Sequence, residues 1–326
     1  MKGRADHGKD CIVTRALMGM YHALDVPDGI SRAPARQPAA QDIAAPRCLF
    51  VLLPPDRQPT NRREETMTVK TVLLHAASET LDPGRGAAAY ALGLARAHAA
   101  HLEALVLDLD MMAPEGARGG KRVADALRAA ARDHGIEASI ITERSHIHST
   151  PEIAADHARL ADMVVAGVRN EGLLSERLVA ESLVFQSGRP VIVVPDDHRG
   201  YAADRIAVAW DFSRVAARAL SDALPFLHRA AEVTLIAFGD DKDFTASIGQ
   251  DEVLERLRRR GVEARFERME RGGQGIGDAI GAAVGHLRAD LLVMGGFGHS
   301  RFRDFVLGGA TRSILTAPHV PTLLSH

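Results

Sequence analysis

Apolar and polar positions along the chain fall into a pattern that starts near Thr68 and then runs twice. Short, almost unbroken apolar runs alternate with longer segments whose apolar residues recur at helical spacing, which predicts strands alternating with amphipathic helices. The first pass reads as strand 69–76, helix 85–100, strand 102–109, helix 117–134, strand 136–142, helix 151–160, strand 162–167 and strand 191–195. The second repeats the order: strand 206–210, helix 214–230, strand 232–238, helix 251–260, strand 262–267, helix 277–287, strand 290–295 and strand 320–325. Matching punctuation supports the register. Gly135-Ile136-Glu137-Ala138 answers Gly261-Val262-Glu263-Ala264, and Ala161-Asp162-Met163-Val164-Val165 answers Ala289-Asp290-Leu291-Leu292-Val293. In the first pair, each glycine stops a helix and a strand follows it.

Strands such as Val191 to Val194 lack polar alternation, as expected of parallel strands covered by helices on both faces. The duplication therefore predicts two tandem, doubly wound α/β domains with Rossmann-like parallel sheets, each roughly 130 residues long. Residues 67–196 form one and 204–326 the other. The last strand of each repeat would leave an apolar sheet edge open, so the two are expected to pair into one rigid pseudo-dimer. Residues 1–66 carry Pro, Arg, Asp and Gln without a sustained period and read as a disordered extension or a start-site artefact, dispensable for stability. Met67 opens the organised chain.

Composition narrows the function. Lys+Arg 40 against Asp+Glu 42 leaves a net charge of −2, which advertises neither nucleic acid nor an anionic membrane as a partner. No apolar run approaches the ~18 residues of a spanning helix. Both cysteines, Cys11 and Cys48, precede the organised part, so neither a disulfide scaffold nor a cysteine metal site is expected, and a cytoplasmic setting fits. There is no Gly-x-Ser-x-Gly elbow and no His-Glu-x-x-His helix.

Candidate chemistry concentrates after the fourth strand of the second repeat, because ligands of open parallel sheets bind beyond the strands' carboxyl ends where strand order reverses. There Gly295 and Gly298 allow close backbone approach, and Gly308-Gly309 open the next helix, whose first N–H groups favour phosphate. Tight-turn geometry alone would also use these glycines. Asp211, after the second repeat's first strand, reads by itself as a helix cap or a solvated turn residue. Arg301 and Arg303 either counter phosphate or are solvated, and His299 carries less. His146-x-His148, with His157 on the following helix, invites a metal reading but lacks a third ligand at suitable spacing. Arg256 to Arg260 read as a solvated helix end.

Gly295-x2-Gly298-x9-Gly308 resembles the Gly-x2-Gly-x9-Gly-(Ser/Thr) nucleotide motif of the universal stress protein family, and the chain from Thr68 to His326 resembles a tandem member. Trp210-Asp211-Phe212-Ser213 and the Pro-Val-Ile-Val-Val-Pro run at 190–195 add to it. The resemblance implies adenine nucleotide alpha hydrolase-like domains. It also implies ATP, alone or with Mg, bound near Asp211, Gly295, Gly298, Gly308, Gly309 and Thr311. Gly309 stands where the family has Ser/Thr, and Thr311 is the nearby hydroxyl. In the first repeat, Ala76 falls at the aspartate position when Ser78 is aligned with Ser213. Gly167-Val168-Arg169-Asn170 lacks the second glycine, and Ala180-Glu181 stands where the helix start would be, so no nucleotide is expected there. The implied role is a nucleotide-responsive stress regulator that acts on an unidentified protein partner and is able to form a homodimer. The alternatives are a protein that works by association alone and a slow ATP-hydrolysing enzyme.

Overall fold

The computed structural model describes residues 68–77, 81–109, 116–169, 175–238, 249–296 and 309–326. The chain divides into Met1–Thr60 and Asn61–His326, and every described residue belongs to the second unit. Cys11, Cys48, Met67 and the rest of 1–66 lie outside the described residues, as do His299, Arg301 and Arg303.

In chain order the first half comprises β1 (Thr71–Ala77), α1 (Gly86–His98), β2 (His101–Leu109), α2 (Gly116–His134), β3 (Ala138–Ser145), α3 (Thr150–Ala158), β4 (Met163–Gly167), α4 (Glu176–Gln186) and β5 (Val191–Val194). The second comprises β6 (Arg205–Ala209), α5 (Arg214–Asp222), α6 (Leu224–Leu227), β7 (Glu232–Phe238), α7 (Gln250–Arg258), β8 (Arg265–Met269), α8 (Ile276–Leu287), β9 (Leu291–Gly295), α9 (Gly309–Thr316) and β10 (Thr322–Ser325). The ten strands make one sheet in the order β3-β2-β1-β4-β5-β10-β9-β6-β7-β8. Each half is parallel with order 3-2-1-4-5, so the direction of winding reverses between β1 and β4 and again between β6 and β9.

At the centre, β5 and β10 pair antiparallel, with Ile192 opposite Leu323 and Val191 opposite Leu324. All eight residues of these two strands are buried. This is the expected pairing of the last strands: each would otherwise expose apolar side chains and unpaired backbone. The seam feeds two cores. Ile192, Val194 and Leu323 join Tyr90, Leu127 and Phe226 beneath α1, α2, α5, α6 and α7, whereas Val191, Val193 and Leu324 pack with Leu183, Ile280 and Leu315 beneath α3, α4, α8 and α9.

Three departures from the sequence pattern have local causes. The helix expected over 214–230 is broken at Ala223, because Pro225 has no N–H and its ring excludes the carbonyl four residues back. The strand expected from Val262 starts at Arg265: Gly261 takes φ 75° and the Val262 N–H stays bonded to the Leu257 carbonyl at 3.0 Å, closing α7 before the chain can join the sheet. Helix α4 shows no clear helical period in the sequence. Its apolar residues, including half-exposed Leu178, spread around the helix and blur the period.

Candidate functional site

The turn after β6 carries the candidate acid. Trp210 continues the strand, its N–H bonded to the Ile236 carbonyl at 2.8 Å. Asp211 is exposed, and its Oδ1 accepts the Ser213 N–H at 2.9 Å. Ser213 in turn caps α5, its hydroxyl oxygen accepting the Ala216 N–H at 3.1 Å. Asp211 thus shapes the approach to the helix, while Ser213 is the cap itself. Between them Phe212 takes φ 59°, a left-handed conformation that costs a bulky L-residue on the order of 1–3 kcal/mol. Its ring lies against Trp210 at 5.7 Å and Phe266 at 6.5 Å.

The sheet places this turn beside the end of β9, since β6 and β9 pair from Ile206–Leu291 to Val208–Val293. Gly295 is there because α5 is close: a Cβ would lie 2.6 Å from the Val215 carbonyl carbon and 2.7 Å from the Ala216 nitrogen. Its lack of a side chain therefore serves packing, and it draws the first turn of α5 against the end of β9. Gly296 continues into the loop, held by its N–H to the Ser325 carbonyl at 2.8 Å and by its carbonyl to His326 Nδ1 at 3.0 Å. A Cβ on Gly296 would meet Val184 of α4 at 3.1 Å, so the first half packs closely against Gly296. Gly298 and Gly308 lie outside the described residues. Gly309 opens α9 and is exposed, and a Cβ there would meet only Ile276 Cγ2 at 3.7 Å, an ordinary contact. Thr311 is buried in the same turn, at 2% exposure. Asp211 and Gly295 are thus brought together.

The equivalent end of the first half is filled by its own charges. Sheet register sets Val72 opposite Met163 as Ile206 is opposite Leu291, so Ala77 answers Asp211 and Ala76 answers Trp210. The sequence alignment, which put Ala76 at the acid's position, was one residue short; alanine stands there either way. Asp196 accepts from Arg85 Nη2 at 3.1 Å and also pairs with Arg169. The Arg169 N–H donates to Glu176 Oε2 at 3.0 Å, and the Glu176 carboxylate occupies the space a Cβ on Gly167 would need. Burial raises the Glu176 carboxyl above the ordinary range, Arg169 opposes that rise, and Asp196 adds to it. The cavity left among these groups is ≈ 20 Å³, room for about one water and not for a nucleotide.

The α4 carboxylate in this cavity is Glu176, not Glu181, which pairs with Arg177 along the helix at 2.9 Å. The misplacement has a simple cause. The β4–α4 connection, residues 168–175, is shorter than the β9–α9 connection, residues 296–308, so counting the second half's spacing overshoots the helix start by about one turn.

His75 borders the same cavity, 3% exposed and with Nε2 unpartnered. Desolvation pushes its pKa down to about 4, so the folded state holds it neutral. Because the folded pKa lies below the unfolded value, the stabilisation is complete above pH 6.5 and is lost as pH falls towards 4, by roughly 3 kcal/mol at most. Urea denaturation between pH 7 and 4 should show that loss, and His75→Gln should flatten it; an unchanged slope would place the acid sensitivity elsewhere.

The histidine pattern resolves into structure. Residues 147–149 form a turn, not an extended segment, and His146 and His148 are exposed. His157 instead bonds Glu143 Oε1 at 3.1 Å, tying α3 to β3. Among the described residues no group of three His, Cys, Asp or Glu side chains could hold a metal ion, and no helix is long and apolar enough to cross a membrane.

Comparison with known proteins separates the halves. No curated protein matches the chain by sequence. Among solved structures, a universal stress protein from Archaeoglobus fulgidus DSM 4304 superposes with TM-score 0.62 at 21% identity, covering 79% of this chain and 96% of its own. A functionally unknown protein from Pseudomonas aeruginosa PAO1 gives TM-score 0.51 at 14% identity, covering 79% and 92%. These likenesses support the two-halved fold. The model of the universal stress protein family matches residues 202–326, the half that carries Asp211 beside Gly295.

Proposed function

We propose that the chain is a tandem universal stress protein, with a degenerate domain at 67–196 and a domain at 204–326 that binds one adenine nucleotide, ATP alone or with Mg, as a regulator in the stress response. The observation that carries this reading is the contrast between the halves: at the first switch point Arg85, Arg169, Glu176 and Asp196 fill the space, whereas at the second Asp211 stands exposed next to Gly295. In this reading Asp211 meets the adenosine, Gly298 and Gly308 let the backbone approach the phosphates, and the start of α9 at Gly309 supplies N–H groups to them. Occupancy of that loop changes the surface offered to a protein partner in the cytoplasm. The β5–β10 pairing uses up within one chain the edge that two separate chains would otherwise share, so a homodimer would have to form elsewhere.

The rival, a protein acting by association alone, is favoured by Gly309 lacking the family's hydroxyl and by the burial of Thr311. Purified protein, precipitated and assayed for released nucleotide, decides between them: adenine nucleotide at up to one per chain is expected, and a nucleotide-free protein that also ignores added ATP would sink the proposal. Metal-dependent turnover of ATP would move the chain to the hydrolytic alternative.

A further inference from the structure

Between α5 and α7 lies a groove of ≈ 950 Å³, within the size range of small-molecule sites, lined by apolar side chains and by the charged residues of α7 and its end. Trp210, Leu220 and Leu224 line one side, Val253 and Leu257 the other. The first half closes the same layer. There α2 runs 19 residues and buries Val123, Ala124, Leu127 and Ala131, whereas α7 runs 9 residues and buries only Val253 and Leu257.

Charge is distributed unevenly along the groove. Glu252 sits in the first turn of α7. Glu255 is already held by Arg258 at 2.9 Å and by Arg259 at 3.0 Å. Arg256, in the last turn of α7, and Arg260, just beyond its end, line the groove and have no carboxylate partner among the described residues. Two uncompensated guanidinium groups at one end of an apolar trough match an elongated apolar molecule with a single anionic head.

We propose that this groove is a second ligand site, distinct from the nucleotide loop, and that it takes an amphipathic carboxylate of the fatty-acid type with its chain along Trp210, Leu220 and Leu257 and its head at Arg256 and Arg260. The volume of ≈ 950 Å³ is of the size that takes a small molecule. The site does not depend on nucleotide binding.

Trp210 is the chain's one tryptophan and lines the groove, so in nucleotide-free protein its emission reports on the groove's occupancy. The full chain is titrated with dodecanoate below its micellar concentration, and binding is followed by fluorescence and by calorimetry. The expected result is saturable one-to-one binding, weakened at least tenfold in Arg256→Ala/Arg260→Ala and restored in Arg256→Lys/Arg260→Lys, with dodecanol no tighter than the alanine variant. Ala217→Phe, which fills the trough and leaves both arginines, should also abolish binding. Absence of saturable binding, equal affinity for dodecanol, or indifference to the arginine and Ala217 changes in folded protein would each overturn the proposal.

Discussion

Leu323→Asp should destabilise the fold by at least about 4 kcal/mol, because it puts an unpaired carboxylate in the middle of the ten-stranded sheet. Leu323 is 0% exposed, opposite Ile192 across the antiparallel seam and next to Val293 in the parallel register of β9. No cation lies on β5 or β10 to compensate. Leu323→Ala offers the gentler comparison, a cavity costing about 2–5 kcal/mol. Urea denaturation of both variants reads the difference. A cost below about 1 kcal/mol for the aspartate would mean the side chain reaches water, and that the halves do not share this seam.

Gly309→Ser should tighten ATP binding about tenfold, the effect of one added hydrogen bond to a charged group. The position has room, since a Cβ would have only Ile276 Cγ2 for a neighbour, at 3.7 Å. It stands at the exposed start of α9, where a serine hydroxyl also suits the helix. Replacing Gly295 instead would drive a side chain into the α5 backbone, so the two glycines should respond oppositely. Isothermal calorimetry on folded Gly309→Ser protein measures the change. Unchanged affinity in a protein that binds ATP would show that this residue does not face the phosphates.

The architecture was legible because it is written twice. Gly135 and Gly261 take φ 65° and 75°, as the paired helix ends require, and Asp162 and Asp290 accept equivalent N–H groups at Lys70–Thr71 and Asp204–Arg205. Features of a single residue or loop length were less legible. Pro225 broke a helix whose apolar period ran through it, and the short β4–α4 loop hid Glu176 behind a spacing borrowed from the other half. At the site, sequence gave residue types and the sheet gave neighbours. Asp211 beside Gly295 follows from β6 pairing with β9, a long-range register that no local pattern encodes. The glycine motif also mixed two causes, since Gly295 answers to helix packing while Gly309 is sterically unconstrained. The groove of α5 and α7 has no sequence signature because it arises from the difference in length between α7 and α2.

Calorimetric titration of the full chain with ATP, with and without Mg, tests the central claim that one half binds and the other is sealed. The expected stoichiometry is one ATP per chain. Asp211→Asn keeps an oxygen to accept the Ser213 N–H while removing the charge, and Gly298→Val blocks the backbone; each should weaken binding at least tenfold, whereas Glu176→Ala in the first half should leave both affinity and stoichiometry unchanged. Two equivalents of ATP per chain, or one equivalent insensitive to Asp211 and Gly298, would contradict the account.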